Sequence, residues 1–242
     1  MRILICTIIR NREPFLAKWQ KQIFALQARN PEITFDLSVF ENDSTDESPA
    51  YLYENQSIFK QQLGNVWITS STENWPYFGS IQAEDRVCYL AKARNRCLEQ
   101  VDDLSSYNKI LFIEPDIQYN ANQLSCLLTT DDDIASPYSL HPMDVQNHRW
   151  IYDSWATRLV SSDTGFRGPR IFDMPPRLEV AATFNCFCVY NAEPFIEGAR
   201  FSGINPLTKT WDCDTTNICY EFGLRDYNRI GLYNLPLIHL GN

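Results

Sequence analysis

Two carboxylates one residue apart, Glu114 and Asp116, follow the apolar run Lys109-Ile-Leu-Phe-Ile113. On an extended backbone, side chains two residues apart face the same way. Pro115 restrains Glu114 toward that conformation. Two adjacent anions repel unless a cation lies between them, and hard oxygen donors suit Mn2+ or Mg2+. Such an ion neutralises a diphosphate leaving group. A solvated strand end has the same composition, so the pair gains weight only from its place after a buried run. His239, in Leu237-Ile-His-Leu240, is either a structural histidine in an apolar strand or a third metal ligand.

Other residues offer complementary chemistry. Arg86, Lys92 and Arg94 lie on one helical segment, where they either contact phosphates and sugar or form a solvated face with i,i+4 pairs. Asp212 and Asp214 precede a second helical segment. They either cap that helix or act on a hydroxyl as base or positioning group.

These residues need elements to hold them. Ile3–Ile9, Phe35–Phe40, Val66–Ile68 and Lys109–Ile113 read as strands, with a fifth over Ile134–Pro137. Helical patterns over Glu13–Ala28 and Arg86–Val101, with a further start near Asp46 or Ser48 and Pro49, fall between them. That alternation predicts an α/β fold with a parallel sheet flanked by helices. Ligands bind such sheets beyond the carboxyl ends of the strands. Thr7–Asn11, Glu41–Asp46 and Glu114–Asp116 stand at those ends. The second half predicts a long loop over Trp150–Arg177, a strand over Glu179–Tyr190, a helix over Thr215–Phe222 and a terminal strand over Leu235–Leu240. One domain spans 1–242 in this reading.

Composition excludes some functions. The 242 residues carry a net charge of −9, which disfavours nucleic-acid binding. No stretch is long enough to span a membrane. The eight cysteines lack a Cys-x-x-Cys pair and mostly lie in apolar runs, which predicts reduced thiols in the cytoplasm. The aromatic content includes 6 Trp and 12 Tyr, which either stack on sugars or fill a core.

Taken together, several segments carry a resemblance. Phe40-Glu-Asn-Asp-Ser-Thr-Asp46 resembles the second-strand turn of GT-A glycosyltransferases, Leu90-Ala-Lys-Ala-Arg-Asn-Arg96 their helix near the donor sugar, and Glu114-Pro-Asp116 their Asp-x-Asp metal motif. Tyr152-Asp-Ser-Trp-Ala-Thr-Arg158, Phe184-Asn-Cys-Phe-Cys-Val-Tyr-Asn-Ala-Glu-Pro-Phe195, Arg200-Phe201 and Asp212-Cys-Asp-Thr-Thr-Asn-Ile-Cys219 resemble the fungal capsule-associated α-1,3-mannosyltransferases, glycosyltransferase family 69. The resemblance implies a GT-A, Rossmann-like sheet with a donor part over about 1–140 and an irregular acceptor part over about 141–242. It implies a GDP-sugar donor, with UDP-sugar as the second choice, a glycan or glycoconjugate acceptor, Mn2+ or Mg2+, and retention of configuration. Peripheral membrane contact is compatible with it, although the anchor of the fungal members has no counterpart in these 242 residues.

On this resemblance Thr7, Arg10, Asn11, Glu41, Asp43, Arg86, Arg94, Asn95 and Glu114 contact the nucleotide sugar. Asp116, His239 and Glu114 hold the metal. Asp212, Asp214 and Arg94 serve the chemistry, and Asp153, Trp155 and Asn185 meet the acceptor. Two other readings compete: a nucleotidyltransferase, disfavoured because Thr7-Ile-Ile-Arg-Asn11 lacks glycine, and a noncatalytic carbohydrate-binding protein on the same fold.

Overall fold

Alternate residues of the first strand serve two cores. In β1 (Arg2–Ile9), Ile3 and Ile5 face one hydrophobic cluster and Leu4 and Cys6 the other. A strand covered on both faces needs no polar side, which is why it reads as a continuous apolar run. The computed structural model describes residues 1–142, 151–160 and 174–241.

The strands β1, β2 (Thr34–Asn42), β3 (Val66–Ser71), β4 (Lys109–Ile113), β5 (Ile117–Gln118), β6 (Ile134–Leu140), β7 (Arg177–Glu179), β8 (Phe187–Asn191) and β9 (Ile230–His239) form one sheet. Its order is β3-β2-β1-β4-β8-β6-β9-β5, with β7 also on β9. From the pairings, β1 to β4, β6 and β9 run one way and β5, β7 and β8 the other. The sheet is therefore mostly parallel, and strands from both halves of the chain belong to it.

Helices cover both faces. On one side α1 (Glu13–Arg29) buries Leu16, Trp19, Ile23 and Leu26, a helical stripe, beside α2 (Ser48–Gln62) and α4 (Ala121–Leu128). On the other lie α3 (Glu84–Glu99), the short α5 (Glu193–Ile196) and α6 (Asp214–Gly223). The chain leaves β1 toward β2 on one side and returns from β3 to β4 on the other. The order reverses at the β1–β4 junction, and ligands bind such a switch point.

The polar turn after β2 is tied to the turn after β1. Asp46 accepts the N–H of Ser48 at 3.0 Å, starting α2, and that of Glu13 at 3.0 Å, starting α1. Ser48 Oγ accepts the N–H of Arg12. These bonds satisfy helix-terminal donors and fix the two loops against each other.

The second half departs from the sequence reading in several places: α5 is an addition, β9 begins at Ile230 rather than Leu235, and the strand expected after the loop is not continuous. Of the strand expected over Glu179–Tyr190 only Glu179, in β7, and Phe187–Tyr190, in β8, are strand. Asn185 and Cys186, with φ of 53° and 62°, stop β8 from starting earlier. That left-handed geometry cannot continue a strand. Elements β5 and α4 are additions to the sequence reading. The expected loop over Trp150–Arg177 is described only at 151–160 and 174–177, and 161–173, like Trp150, lie outside the described residues. Segment 151–160 is held to the sheet through Arg158, which pairs with Ala182, and through Asn185. All eight cysteines are unpaired. Among the described residues, no helix is long and apolar enough to cross a membrane.

Asn185 is fully buried and joins three segments. Its Oδ1 accepts from the Ser139 hydroxyl at 2.6 Å, and its Nδ2 donates to Thr183 at 2.9 Å and Thr157 at 3.3 Å. Asn185→Ala leaves those partners unsatisfied and puts a poorer left-handed residue in place. The expected loss is about 2–4 kcal/mol of unfolding free energy, measured by urea denaturation. A loss near zero would show that the network does not hold this segment.

Candidate active site

A cleft of about 490 Å³ opens at the β1–β4 junction. Arg10 and Arg12 enter it after β1, Glu114 and Asp116 after β4, and Arg94 from α3. Asp153, Trp155, Asp214 and His239 close the far side.

Register explains how His239 reaches the acidic turn. In the β5–β9 pair, Ile117 stands opposite His239. The Leu240 N–H donates to the Asp116 carbonyl. His239 Nε2 thereby comes 3.6 Å from Asp116 Oδ2. Tyr152 stacks on the His239 ring at 4.0 Å and 14°. A Cβ on Gly241 would lie 2.2 Å from Asp116 Oδ2, so any larger residue there would displace the Asp116 carboxylate from this arrangement.

Carboxylates crowd the cleft, and arginines answer them. Arg94 occupies the buried stripe of α3 with Val87, Ala91 and Leu98. Its Nε donates to Asp214 at 2.8 Å and its Nη2 to Glu114 at 3.4 Å, while its Cζ lies 4.5 Å from the centre of the Phe184 ring. Burial opposes its charge, but Asp214 and then Glu114 outweigh burial and hold the guanidinium protonated. Burial likewise opposes the charge on Glu114, yet Arg94 keeps that carboxyl below its usual range. Asp116 goes the other way: burial and then the Glu114 charge raise its pKa. Arg12 Nε answers it at 3.1 Å from Oδ2.

The same environment fits a divalent cation. Among the described residues, ligand atoms of Glu114, Cys186 and His239 lie within 4.8 Å of one another. His239 is buried, and its Nδ1 has no hydrogen-bond partner. A raised carboxyl and an orphaned buried imidazole nitrogen are groups that a positive ion would relieve.

A second wall is aromatic. The segment between β3 and α3 lays Trp75, Tyr77 and Phe78 along the cleft, with Trp75 and Phe78 packed on Tyr89 at 5.0 and 6.0 Å. Charged residues fasten it: Asp43 accepts the N–H of Asn74 and Trp75, Arg10 donates to the carbonyls of Trp75 and Pro76, and Arg86 donates to that of Gly79.

Of the residues singled out in the sequence, Arg10, Arg86, Arg94, Glu114, Asp116, Asp153, Trp155, Asp214 and His239 line the cleft. Eight others are not among its lining residues, of which Lys92 is exposed with its ammonium 4.9 Å from the centre of the Tyr89 ring. Thr7 is buried, and its carbonyl accepts from Cys97. Asn11 and Glu41 bind the turn after β2 through Thr45 and Ser44. Asp43 holds the aromatic segment. Asn95 exchanges two bonds with Phe201, Asn185 is enclosed by its network, and Asp212 is paired with Arg158 at 3.0 Å. Sequence reasoning missed Arg12, Tyr152, Cys186 and the aromatic wall. The run Trp75-Pro-Tyr-Phe78 was a legible signal for the wall, whereas Cys186 offered none.

A mostly parallel sheet, an acidic turn at its switch point, and a basic helix and late histidine meeting that turn define the GT-A class of glycosyltransferase. Solved structures agree on the fold. Mannosyltransferase PcManGT from Pyrobaculum calidifontis, in complex with GDP-Man and Mn2+, is 12% identical with a TM-score of 0.60, covering 99% of this chain and 56% of that one. S. aureus TarS 1-349 in complex with UDP-GlcNAc is 14% identical with a TM-score of 0.56, covering 97% and 56%. The chain thus spans just over half the length of these proteins. No curated protein matches it. The family model described as Cryptococcal mannosyltransferase 1 matches residues 2–221, and the chain belongs to that family.

Asp153 gives a pH test. Burial, and then the Glu114 charge, raise its pKa to about 6. The folded pKa lies above the unfolded one, so the unfolded chain binds fewer protons between roughly pH 4 and 6. Stability from this group is present below that window and is lost as pH rises through it. Asp153→Asn keeps an acceptor for the Asn185 N–H. It should be more stable than wild type at pH 7.5, by on the order of 1–3 kcal/mol, and equal near pH 4. Urea denaturation at both pH values checks this, and a gain independent of pH would contradict it.

Proposed function

We propose that this chain transfers a sugar, in first preference mannose, from a GDP-sugar to a hydroxyl of a glycan or glycoconjugate, with Mn2+ or Mg2+ and retention of configuration. The observation that carries this reading is the register that sets His239 against Asp116 and Glu114 beside the buried Arg94. The family, and the GDP-Man and Mn2+ bound by PcManGT, support the donor and ion. A UDP-sugar is the second choice, as TarS binds UDP-GlcNAc.

Asp116, His239 and Glu114 would hold the ion, which neutralises negative charge growing on the diphosphate as the sugar leaves. Arg94 is preorganised by Asp214 and stays charged beside Glu114, so it stabilises the same charge without reorganising. Arg12, on Asp116 in this structure, is within reach of the same ligand. Arg10 and Asp43 act on the nucleoside side indirectly, by fixing the aromatic wall on which a base can stack. Asp214 orients Arg94 and Asp212 orients Arg158, so we read both carboxylates as positioning groups. Retention suits that arrangement. The acceptor hydroxyl approaches from the face of the leaving diphosphate, and a phosphate oxygen takes its proton. Asp153 and Trp155 line the acceptor side. We read 1–242 as one catalytic domain, donor half first, working in polysaccharide synthesis in the cytoplasm. Its unpaired cysteines support a reducing compartment.

A thermal-shift screen of GDP- and UDP-sugars with and without Mn2+ tests this. Ligand at a hundredfold over Kd stabilises the folded state by about 2.7 kcal/mol, several degrees for a chain of this size. The shift is expected with GDP-mannose and Mn2+ together, and to be lost with EDTA and in Asp116→Ala and His239→Ala. Wild-type shifts in both variants would sink the site assignment. Pyrophosphate release from NTP and sugar phosphate would favour a nucleotidyltransferase instead, and glycan binding without any nucleotide binding a noncatalytic protein.

A further inference from the structure

Cys186 meets the acidic turn from the β8 side. Its carbonyl accepts the Glu114 N–H at 2.8 Å, continuing the β4–β8 pairing. Its sulfur lies within 4.8 Å of a Glu114 carboxylate oxygen. The residue is 3% exposed. Its φ of 62° follows one of 53° at Asn185. Glycine takes that conformation without strain, whereas another residue there costs about 1–3 kcal/mol. The left-handed backbone therefore carries a sulfur atom at a residue that lines the cleft.

The neighbours of that sulfur are metal donors. Cys186 Sγ, a Glu114 oxygen and a His239 nitrogen lie within 4.8 Å of one another, and the buried His239 Nδ1 lacks a partner. Sulfur at about 2.3 Å and nitrogen at about 2.1 Å from one zinc ion stand at most about 4.4 Å apart. The three side chains need only a small closure to share an ion.

Resting on the metal-dependent reading above, we propose that Cys186 is a sulfur ligand of this centre, and that Glu114, Cys186 and His239 bind a thiophilic divalent ion such as Zn2+, Co2+ or Cd2+ in preference to Mg2+. Thiolate and imidazole favour those ions, whereas Mg2+ takes oxygen ligands in octahedral geometry. Coordination releases the thiol proton to solvent. The centre then has two ligand sets that share Glu114 and His239: one with oxygen from Asp116, and one with sulfur from Cys186. A thiophilic ion displaces Mn2+ by competing for the shared pair.

The test is spectroscopic and uses the full chain. Co2+ added to the wild type should give a sulfur-to-metal charge-transfer band in the near ultraviolet, absent in Cys186→Gly and Cys186→Ser. Cys186→Gly relieves the left-handed strain but removes a buried side chain, so its melting temperature is measured to show that the variant is folded. Zn2+ affinity should fall at least about tenfold in both variants, while Mn2+ affinity changes by less than about threefold. The proposal is overturned if the wild type shows no band at saturating Co2+, if the band persists in Cys186→Gly, or if Zn2+ affinity is unchanged. Mn2+-dependent GDP-sugar binding without a band would remove Cys186 from the centre and leave the sugar-transfer reading standing. Absence of any divalent binding would remove both.

Discussion

Glu114, Asp116, Asp153 and Asp214 share one cleft, and like charges at such separation destabilise one another unless cations intervene. Much of the surrounding architecture supplies that compensation. Arg94 is buried where its helix would ordinarily place an apolar side chain, and it reaches two of the four carboxylates. Arg12 covers a third from the loop after β1. Their placement follows from the switch point, which brings the ends of β1 and β4 together.

The charge balance is uneven, and the unevenness separates roles. Glu114 is held ionised by a buried guanidinium, while Asp116 is left with a raised pKa beside a half-exposed arginine and an imidazole. A fixed pair suits a permanent part of the scaffold. A group whose partner can swing away suits an exchangeable ligand. The two carboxylates of one short motif thus differ in what they can give up.

How much of this was legible depended on the range of the interactions involved. Strands β1, β2 and β4 could be read from sequence because burial on both faces makes them continuous apolar runs. The Glu114-Pro-Asp116 turn could be placed for the same reason. Arg94 was picked out too, as a phosphate or sugar contact on a helical segment, but its burial on the stripe of Val87, Ala91 and Leu98 emerged only from the structure. β5 was not: its two residues are a strand only because β9 lies beside them. The late start of β8 turned on left-handed Asn185 and Cys186, which no period in the sequence announces. Asp43 looked like a ligand contact because it ends a strand, yet its carboxylate is occupied by backbone N–H groups about thirty residues away.

One strand has two jobs. β9 pairs with β5, β6 and β7, closing that side of the sheet, and it also presents His239 to residues more than a hundred positions earlier in the chain. On the proposed metal-binding reading the last ligand and the closing strand are the same segment, so the centre would not assemble on the first half of the chain alone. Disorder that peels β9 from the sheet dismantles the site in the same event. An ion held between Asp116 and His239 would act as a reversible cross-link over that long stretch of chain, tying catalytic competence to the cooperativity of the fold.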